Sequence, residues 1–288
     1  MRTLAHISDL HFGRTDETLL GPLRERLADL SPDMVVVSGD LTQRARTEQF
    51  VQARRYLDSL PHPQIVVPGN HDVPLHNVLK RFVNPLKNYR RHISPDTEPF
   101  YSDDEIAVAG INTARSLTFK NGRINVEQMA LLEERFTALE ERITKIVVTH
   151  HPFDLPPSAE PDALVRRAGK AMKVFAACGA DILLSGHMHL SHVGSTADRY
   201  ALGGYAALTI QAGTATSTRG RGECNAFNLI RIDGDDVMLE RYEWDADARE
   251  FTLAARSAFT RQDHGWREVA HETTHTPHCA PAVVPEPR

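Results

Sequence analysis

The chain has 288 residues, of which 41% are hydrophobic and 25% are charged, and its formal net charge is −5. This composition is typical of a soluble globular protein and excludes a disordered chain, a collagen and a coiled coil. The acidic balance argues against nucleic acid as a partner, although it leaves room for a local basic patch. No apolar run reaches the roughly 18 residues of a membrane helix or has the form of a signal peptide, so we expect a cytoplasmic protein.

The first two thirds of the chain alternate short apolar segments with longer amphipathic ones. The short segments predict β-strands at Leu4–Ile7, Met34–Val37, Gln64–Val67, Ala107–Ile111, Lys145–Val148 and Asp181–Leu184. The longer segments predict helices near Leu19–Leu30, Thr47–Leu60, Val126–Arg142 and Pro161–Ala177. Short apolar strands that alternate with helices are typical of sheets buried on both faces, so we expect βαβ units.

The pattern changes near residue 200, where β-rich segments follow one another without helices between them. Tyr205–Gln211, Ala226–Ile232 and Val237–Glu243 are separated by Gly and Asp turns, which predicts antiparallel strands. We therefore expect an α/β fold in which residues 1–250 form one domain. Residues 251–288 are rich in Pro and His, and we expect them to form a loosely ordered C-terminal tail.

Residues 74–98 form an unusual segment with no acidic residue before Asp96. Apolar residues recur at helical spacing at Leu75, Val78, Leu79, Phe82, Leu86 and Tyr89. Basic residues fill the other positions at Lys80, Arg81, Lys87, Arg90 and Arg91. The pattern predicts a basic amphipathic cap that Pro85 kinks or divides. Its basic face is either solvated or a rim for an anionic substrate, and peripheral membrane contact through residues 74–93 stays open.

Polar residues follow five of the predicted strands at the point where each strand ends. They are Asp9, His11, Asp40, Asn70, His71, Asp72, His150, His187 and His189. The carboxyl ends of the strands in an open α/β sheet face its ligand crevice. Carboxylate, imidazole and amide ligands together suit divalent transition metals, and the set is too large for one structural zinc. Two ions that share one carboxylate would use all the ligands.

Two further loops carry residue types that bind phosphate. Asn112 and Arg115 follow the predicted strand Ala107–Ile111 and would lie at the same rim, either as substrate-binding residues or in an ordinary polar loop. The loop Thr214–Arg221 contains Arg219 and Arg221, and phosphate contact and a solvated loop are equally compatible with it.

The strand-end residues, taken together, resemble a known family. The series Asp9-x-His11, Gly39-Asp40, Gly69-Asn70-His71-Asp72, His150 and Gly186-His187-x-His189 resembles the calcineurin-like metallophosphoesterases. The resemblance spans roughly residues 1–245 and is greatest to the bacterial class III cyclic-nucleotide phosphodiesterases and their glycerophosphodiesterase relatives. It implies a four-layer αββα sandwich of two mixed β-sheets.

The resemblance also implies a role for each of these residues. Asp9, His11 and His189 would hold one metal ion, Asn70, His150 and His187 would hold a second, and Asp40 would bridge both. His71 would be a general acid or a phosphate-binding group, and Asp72 would orient it through a hydrogen bond. The cofactors would be two divalent transition-metal ions of uncertain identity, such as Mn, Fe or Zn.

The implied activity is hydrolysis of a small anionic phosphodiester, by attack of a metal-bound hydroxide on phosphorus. Cyclic nucleotides and glycerophosphodiesters both suit this reaction. The alternatives are a phospholipid-directed phosphodiesterase, a nuclease, a phosphomonoesterase, or a non-catalytic interaction module that retains the fold. The net charge weakens the nuclease alternative because such enzymes need an extended basic channel. Assembly into a homo-oligomer stays open.

Overall fold

The structure is a computed structural model that describes residues 1–75, 78–117, 120–156, 159, 163–219, 222–262 and 265–274, without the side chains of residues 78–80. The strands are β1 (Arg2–Ile7), β2 (Met34–Val37), β3 (Gln64–Val66), β4 (Phe100–Ser102), β5 (Ile106–Gly110), β6 (Thr144–Val148), β7 (Ile182–Ser185), β8 (His192–Ser195), β9 (Leu208–Gln211), β10 (Ala226–Asp233), β11 (Asp236–Asp245), β12 (Glu250–Gln262) and β13 (Gly265–Thr273). The α-helices are α1 (Leu20–Leu30), α2 (Thr47–Asp58), α3 (Val78–Val83), α4 (Lys87–His92), α5 (Val126–Thr137) and α6 (Ala168–Cys178).

The strands form two mixed sheets. The first sheet has the order β13-β12-β11-β10-β1-β2-β3, in which β1, β2 and β3 are parallel. The second has the order β4-β5-β6-β7-β9-β8, in which β5, β6, β7 and β9 are parallel. Each sheet therefore has a parallel part whose strands end on one side, and the antiparallel strands lie at its edges or extend it.

Three apolar clusters separate four layers. One cluster packs α1, α2 and α4 on the outer face of the first sheet, and another packs α5 and α6 on the outer face of the second. The third cluster lies between the sheets, where residues such as Leu4, Val36, Val108 and Ile146 meet. The predicted αββα sandwich is confirmed. Within the described residues, no helix combines the length and apolar composition that crossing a membrane requires.

Helix α5 shows how the local sequence sets an element of this scaffold. The Asn125 side chain accepts a hydrogen bond from the Gln128 backbone N–H at 2.8 Å, and the Gln128 side chain accepts one from the Asn125 N–H at 3.0 Å. This reciprocal pair satisfies backbone donors that a helix start leaves free. Met129, Leu132 and Phe136 then recur at helical spacing and are buried against the second sheet.

The cap segment is divided at Pro85, as its sequence predicts, because α3 ends at Val83 and α4 begins at Lys87. Helix α4 packs on the core through Leu86 and Tyr89, and the Tyr89 hydroxyl donates to the Val66 carbonyl at 2.8 Å. The basic face differs from the prediction, since the Arg81 side chain is buried, whereas Lys87, Arg90 and Arg91 are exposed. The predicted roles of the Val78, Leu79 and Lys80 side chains lie outside the described residues.

The C-terminal region also differs from the prediction of a loose tail beyond residue 250. Residues 250–262 form β12 and residues 265–273 form β13, and these two antiparallel strands extend the first sheet. Phe251, Ala254 and Phe259 are buried, so this segment contributes apolar side chains to the core. The prediction of a loose tail was based on the Pro and His content of residues 251–288. Residues 275–288 lie outside the described residues.

Candidate metal centre

The loops that follow β1, β2, β3, β6 and β7 meet at one rim of the sandwich. They bring together the seven side chains predicted as metal ligands, which are Asp9, His11, Asp40, Asn70, His150, His187 and His189. Six of these side chains are buried and Asn70 is half-buried. The carboxyl ends of the parallel strands of both sheets point to this rim. Each predicted ligand therefore lies within a few residues of the end of a strand.

The first ligand group consists of Asp9, His11 and His189. Asp9 Oδ1 lies 3.4 Å from His11 Nε2 and 3.4 Å from His189 Nε2. The two imidazole rings stack with their centroids 5.1 Å apart. One carboxylate oxygen and two ring nitrogens thus converge on a common point.

The second ligand group consists of Asn70, His150 and His187. His150 Nε2 lies 3.1 Å from Asn70 Oδ1 and 3.3 Å from His187 Nδ1. Asp40 lies between the two groups, with Oδ2 at 3.3 Å from His150 Nε2 and at 3.6 Å from His11 Nε2. A single carboxylate therefore faces both groups.

The donor atoms fit a pair of transition-metal ions. Ligands about 2.1 Å from one ion lie roughly 3.0 Å apart in an octahedral site and 3.4 Å apart in a tetrahedral one, which is close to the separations found in both groups. Within the described part of the chain, Asp9 Oδ1 and both ring nitrogens of His11 are buried without a hydrogen-bond partner. Buried polar atoms are rarely left in that state unless an ion or water binds them.

Five of the seven candidate ligands have left-handed backbone conformations. Their φ angles are 56° at Asp9, 50° at His11, 52° at Asp40, 74° at His187 and 58° at His189. Such conformations cost about 1–3 kcal/mol each and persist at functional sites when the surrounding structure enforces them. Backbone hydrogen bonds do so here, since the Asp9 N–H donates to Gly39 at 3.1 Å and the His11 N–H donates to Asp40 at 2.9 Å.

Gly39 and Gly69 allow the loops to approach the ligands closely. Gly39 has a φ of 95°, and a Cβ atom there would lie 2.8 Å from His150 Nδ1. A Cβ atom at Gly69 would lie 2.1 Å from Asp40 Oδ1. Both positions therefore require glycine if the ligands are to keep their places.

Burial and mutual charge set the protonation states of the ligands. Burial alone would raise the pKa of Asp40, but the imidazoles of His150 and His71 hold this pKa well below its usual value. Burial lowers the pKa of His187 to about 3 and that of His189 to about 4. Asp40 is therefore an anion and these two imidazoles are neutral near pH 7, which are the forms that bind metal ions.

His71 lies beside the ligands and has two well-defined partners. Its Nδ1 lies 2.9 Å from the Gln43 carbonyl oxygen, and its Nε2 lies 2.9 Å from an Nη atom of Arg219. Arginine only donates, so Nε2 accepts and Nδ1 carries the proton that is donated to Gln43. Burial lowers the pKa of His71, which agrees with a neutral ring.

The hydrogen bond predicted between Asp72 and His71 is absent from the contacts of the described residues. The Asp72 carboxylate instead accepts from the backbone N–H groups of Leu41, Thr42 and Gly69, at 3.1, 2.9 and 2.9 Å, and from the Thr42 hydroxyl. These donors belong to the loops that follow β2 and β3. Asp72 thus joins the loop that carries Asp40 to the loop that carries Asn70 and His71.

Asn112 and Arg115 make hydrogen bonds to nearby groups of the protein, and a substrate-binding role for them stays a prediction. Asn112 is buried, and its side-chain oxygen accepts from the Ala114 N–H at 2.9 Å. The Arg115 guanidinium donates to the Gln128 side chain, which also donates to the Asn112 carbonyl at 2.8 Å. Local backbone and helix-cap groups therefore occupy these two residues, which shape the loop near the rim.

His151 lies next to a ligand but is engaged elsewhere. Its Nδ1 lies 2.7 Å from the Thr113 hydroxyl and its Nε2 lies 3.0 Å from the Lys120 carbonyl oxygen. Both ring nitrogens therefore have protein partners, although the ring is close to His150 and His187. His151 supports the second ligand group from behind and is not expected to bind an ion.

A small basic pocket opens beside His71. It has a volume of about 170 Å³ and is lined in part by Arg44, Asn70, Leu75 and Lys120. Sequence patterns gave no sign of Arg44 and Lys120, because each lies in a loop with no motif around it. Arg219 is one of the two arginines in a loop for which the sequence is compatible with either phosphate contact or solvation. The other arginine, Arg221, lies outside the described residues.

Comparison with known proteins places this geometry in a family. The model of the family described as calcineurin-like phosphoesterase matches residues 2–191. The chain belongs to the calcineurin-like phosphoesterase family. The five ligand-bearing strand ends all lie within the matched residues. The family prediction is thus confirmed.

Two curated proteins and one solved structure illustrate the similarity. The chain is 29% identical over 170 residues to the glycerophosphodiester phosphodiesterase GpdQ of Enterobacter lignolyticus. The aligned region covers 53% of this chain and 58% of that protein. It is 24% identical over 208 residues to a probable cyclic nucleotide phosphodiesterase of Synechococcus, covering 66% and 74%. A dimetal phosphatase from Danio rerio has the same fold, with a TM-score of 0.61, 16% identity and coverage of 83% and 95%.

Proposed function

We propose that the protein is a phosphodiesterase that acts on small anionic phosphodiesters and uses two divalent transition-metal ions. The observation that carries this proposal is the pair of three-residue ligand groups joined by one carboxylate, Asp40. The names of the two curated relatives favour a diester over a monoester and suggest glycerophosphodiesters and cyclic nucleotides as substrates. Mn, Fe and Zn all suit the mixed nitrogen and oxygen donors.

The ions would be held by Asp9, His11 and His189 in the first ligand group and by Asn70, His150 and His187 in the second, with Asp40 shared. When bound, such a pair lowers the pKa of a water and neutralises charge that develops on the phosphate oxygens. The chain itself supplies the fixed positions, since every ligand lies at the end of a strand or in the short loop that follows it.

Arg219 and His71 would act on the substrate directly. Arg219 is half-buried and donates to His71 Nε2. A phosphate oxygen is a stronger acceptor than a neutral imidazole, so an incoming diester would draw the guanidinium to itself. His71 Nε2 would then be free to take up a proton from solvent beside the anionic diester, and to deliver that proton to the leaving-group oxygen. Gln43 keeps the ring oriented through Nδ1 during this exchange.

The proposal is tested with protein freed of metal and then reconstituted with Mn, Fe or Zn. Hydrolysis of bis(p-nitrophenyl) phosphate, p-nitrophenyl phosphate, a glycerophosphodiester and a cyclic nucleotide is measured before and after reconstitution. We expect about two ions per chain and a higher kcat/KM for diesters than for the monoester. Undiminished turnover after complete chelation, or turnover of the monoester alone, would contradict it.

Arg219 offers a sharper test of the binding step. A hydrogen bond between charged groups is worth about 1.5–3 kcal/mol, so Arg219→Ala is expected to reduce kcat/KM by roughly 10- to 100-fold. Arg219→Lys keeps the charge but loses the planar donor pair and should recover only part of the loss. Both variants should retain the full metal content, because within the described residues no hydrogen bond or ion pair joins Arg219 to a predicted ligand.

A further inference from the structure

Large apolar side chains are exposed on two segments, of which one follows β3 and the other follows β5. Their exposed fractions are 36% at Leu75, 52% at Phe82, 75% at Val83 and 76% at Leu117. We call these four residues the apolar rim. They make up most of the large hydrophobic residues that are exposed in the described part of the chain, where only Met1, Val126 and Val269 lie elsewhere. Exposed apolar residues scattered singly need no explanation, but a concentration at the mouth of a site does.

Arg81 holds the two segments of the rim together. Its side chain is 2% exposed, and its guanidinium donates to the Ser116 carbonyl at 2.7 Å and to the Pro74 carbonyl at 3.0 Å. Leu75 follows Pro74, Leu117 follows Ser116, and Phe82 and Val83 follow Arg81 itself. A buried guanidinium that bonds to carbonyl groups of both segments therefore fixes the spatial relation of the rim residues.

The rim meets the small basic pocket at Leu75. Leu75 lines the cavity of about 170 Å³ that also contains Asn70, His71, Arg44 and Lys120. The inner part of this cavity is thus cationic and polar, and its outer edge is apolar. The packing of the cap does not explain the rim, because α4 already anchors the segment through Leu86 and Tyr89, which are buried.

We propose that the apolar rim binds an apolar substituent of the substrate, so that the preferred substrate is an amphipathic phosphodiester with an alkyl or acyl chain. This inference rests on the proposed phosphodiesterase function. The charged phosphate would enter beside Arg219, Arg44 and Lys120, and the apolar group would cover Leu75, Phe82, Val83 and Leu117. Removing such a group from water stabilises the complex in proportion to the apolar area buried. A substrate without an apolar group would leave the rim uncovered.

The test uses a homologous series in which only the apolar group changes. Methyl, butyl and hexyl p-nitrophenyl phosphate share one leaving group and one charge, and each is assayed as a monomer below its micelle concentration. On an open rim we expect kcat/KM to rise roughly twofold per methylene group, about half of the effect of complete burial. From methyl to hexyl this amounts to about 30-fold.

Variants on the rim locate the effect. Phe82→Ser and Leu117→Ser should each flatten the dependence on chain length while leaving kcat/KM for the methyl ester within about twofold, because neither residue is a predicted ligand or is among the described residues that line the pocket beside His71. Val83→Ser should have a smaller effect of the same kind. Val269→Ser is the matched control, since Val269 is also an exposed valine and lies on β13, at the opposite edge of the first sheet from β3.

The outcomes separate this inference from the proposed function. If no ester is hydrolysed by reconstituted protein, the phosphodiesterase proposal fails and the rim proposal fails with it. If the methyl and hexyl esters are hydrolysed with equal kcat/KM, only the rim proposal is overturned. A chain-length dependence that persists in Phe82→Ser and Leu117→Ser also overturns it. Activation of methyl-ester hydrolysis by phosphatidylglycerol vesicles, lost in Phe82→Ser, would overturn it in favour of a membrane surface as the occupant.

Discussion

The two ligand groups are alike in size but differ in charge. The first contains a carboxylate of its own, Asp9, whose Oδ1 has no hydrogen-bond partner within the described residues. The second contains an amide and two imidazoles, and His150 is already bonded to the Ser38 carbonyl at 2.8 Å through Nδ1. With Asp40 shared, an ion in the first group faces two carboxylates and an ion in the second group faces one. Because Coulomb attraction scales with this charge, the first group should bind its ion more tightly.

Removal of the shared Asp40 carboxylate should have the largest effect on metal binding and turnover. Asp40→Ala should abolish high-affinity binding in both groups, since each loses an anionic ligand. The ions supply several kcal/mol of charge stabilisation in the transition state, so turnover should fall by about 10⁴-fold or more. Metal content measured by mass spectrometry after desalting, together with kcat, checks this. Asp40→Asn preserves the shape of the side chain, and two tightly held ions in that variant would contradict the bridging assignment.

A substitution of His71 should slow the chemical step without weakening metal binding in either ligand group. His71→Ala should retain both ions and reduce turnover by about 10²–10⁴-fold, the usual range for loss of a general acid. The loss should be smaller for a nitrophenolate leaving group, which needs little protonation, than for an alkoxide. Rates on aryl and alkyl diesters give the measurement. Asp72→Asn is the control, because Asp72 contacts backbone N–H groups and should not reproduce the dependence on the leaving group. Equal losses for both leaving groups in His71→Ala would assign His71 to phosphate binding instead.

Matched histidine variants compare the groups directly. His189→Ala leaves the first group with two carboxylates, whereas His187→Ala leaves the second with only Asp40, Asn70 and His150. We expect His187→Ala to lose its ion at least about tenfold more readily than His189→Ala loses its own. Titration of metal-free protein with Mn or Zn, followed by calorimetry, yields the two affinities. Equal weakening in the two variants would show that ligand charge does not set the order of binding.

The pH dependence of metal binding should also differ between the two ligand groups. Burial alone would lower the pKa of His150, but the Asp40 carboxylate raises this pKa to about 9. His150 is therefore protonated near pH 7 without metal, and an ion that enters the second group must displace one proton. Its affinity should rise by up to about tenfold per pH unit between pH 6 and pH 8. The first group contains His189, which is neutral in this range because its pKa is about 4, so its dependence should be weaker.

Proton release provides the measurement for this prediction. Calorimetric titrations in buffers of different ionisation enthalpy report the number of protons released with each ion. We expect about one proton for the second ion at pH 7.5, and fewer for the first. The reverse order would contradict the protonated state of His150 or the assignment of that residue to the weaker group.

The ligand positions were accessible from the sequence because parallel strands force their carboxyl ends to one side. Once Ile7, Val37 and Val66 are recognised as strand ends, the polar residues that follow must share a rim. The partners of His71 were not accessible in this way, since Arg219 lies 148 residues further along the chain. The hydrogen bonds of Asp72 could not be predicted for a related reason. Its carboxylate accepts from backbone N–H groups, and these do not depend on side-chain identity.

The cap and the C-terminal strands show where helical or compositional patterns reach their limit. Phe82 and Leu86 both fit the apolar helical period, but of these two residues only Leu86 packs in the core. Likewise, a basic residue in an amphipathic pattern is expected at the surface, but Arg81 is buried because three backbone carbonyl groups take up its donors. Such outcomes depend on which distant segment arrives beside each side chain.

The left-handed backbone at five ligands constrains how this centre could be altered by evolution or by design. Asp and His are among the few side chains that tolerate such φ angles, so each of these positions selects residue types twice, once for coordination and once for backbone geometry. An exchange of Asp9 or Asp40 for Glu would satisfy only the chemical demand, and a β-branched residue would satisfy neither. The mutational paths between different metal preferences are therefore narrow here, and they pass through Asn, Asp, His or Gly rather than through the full set of metal-binding side chains.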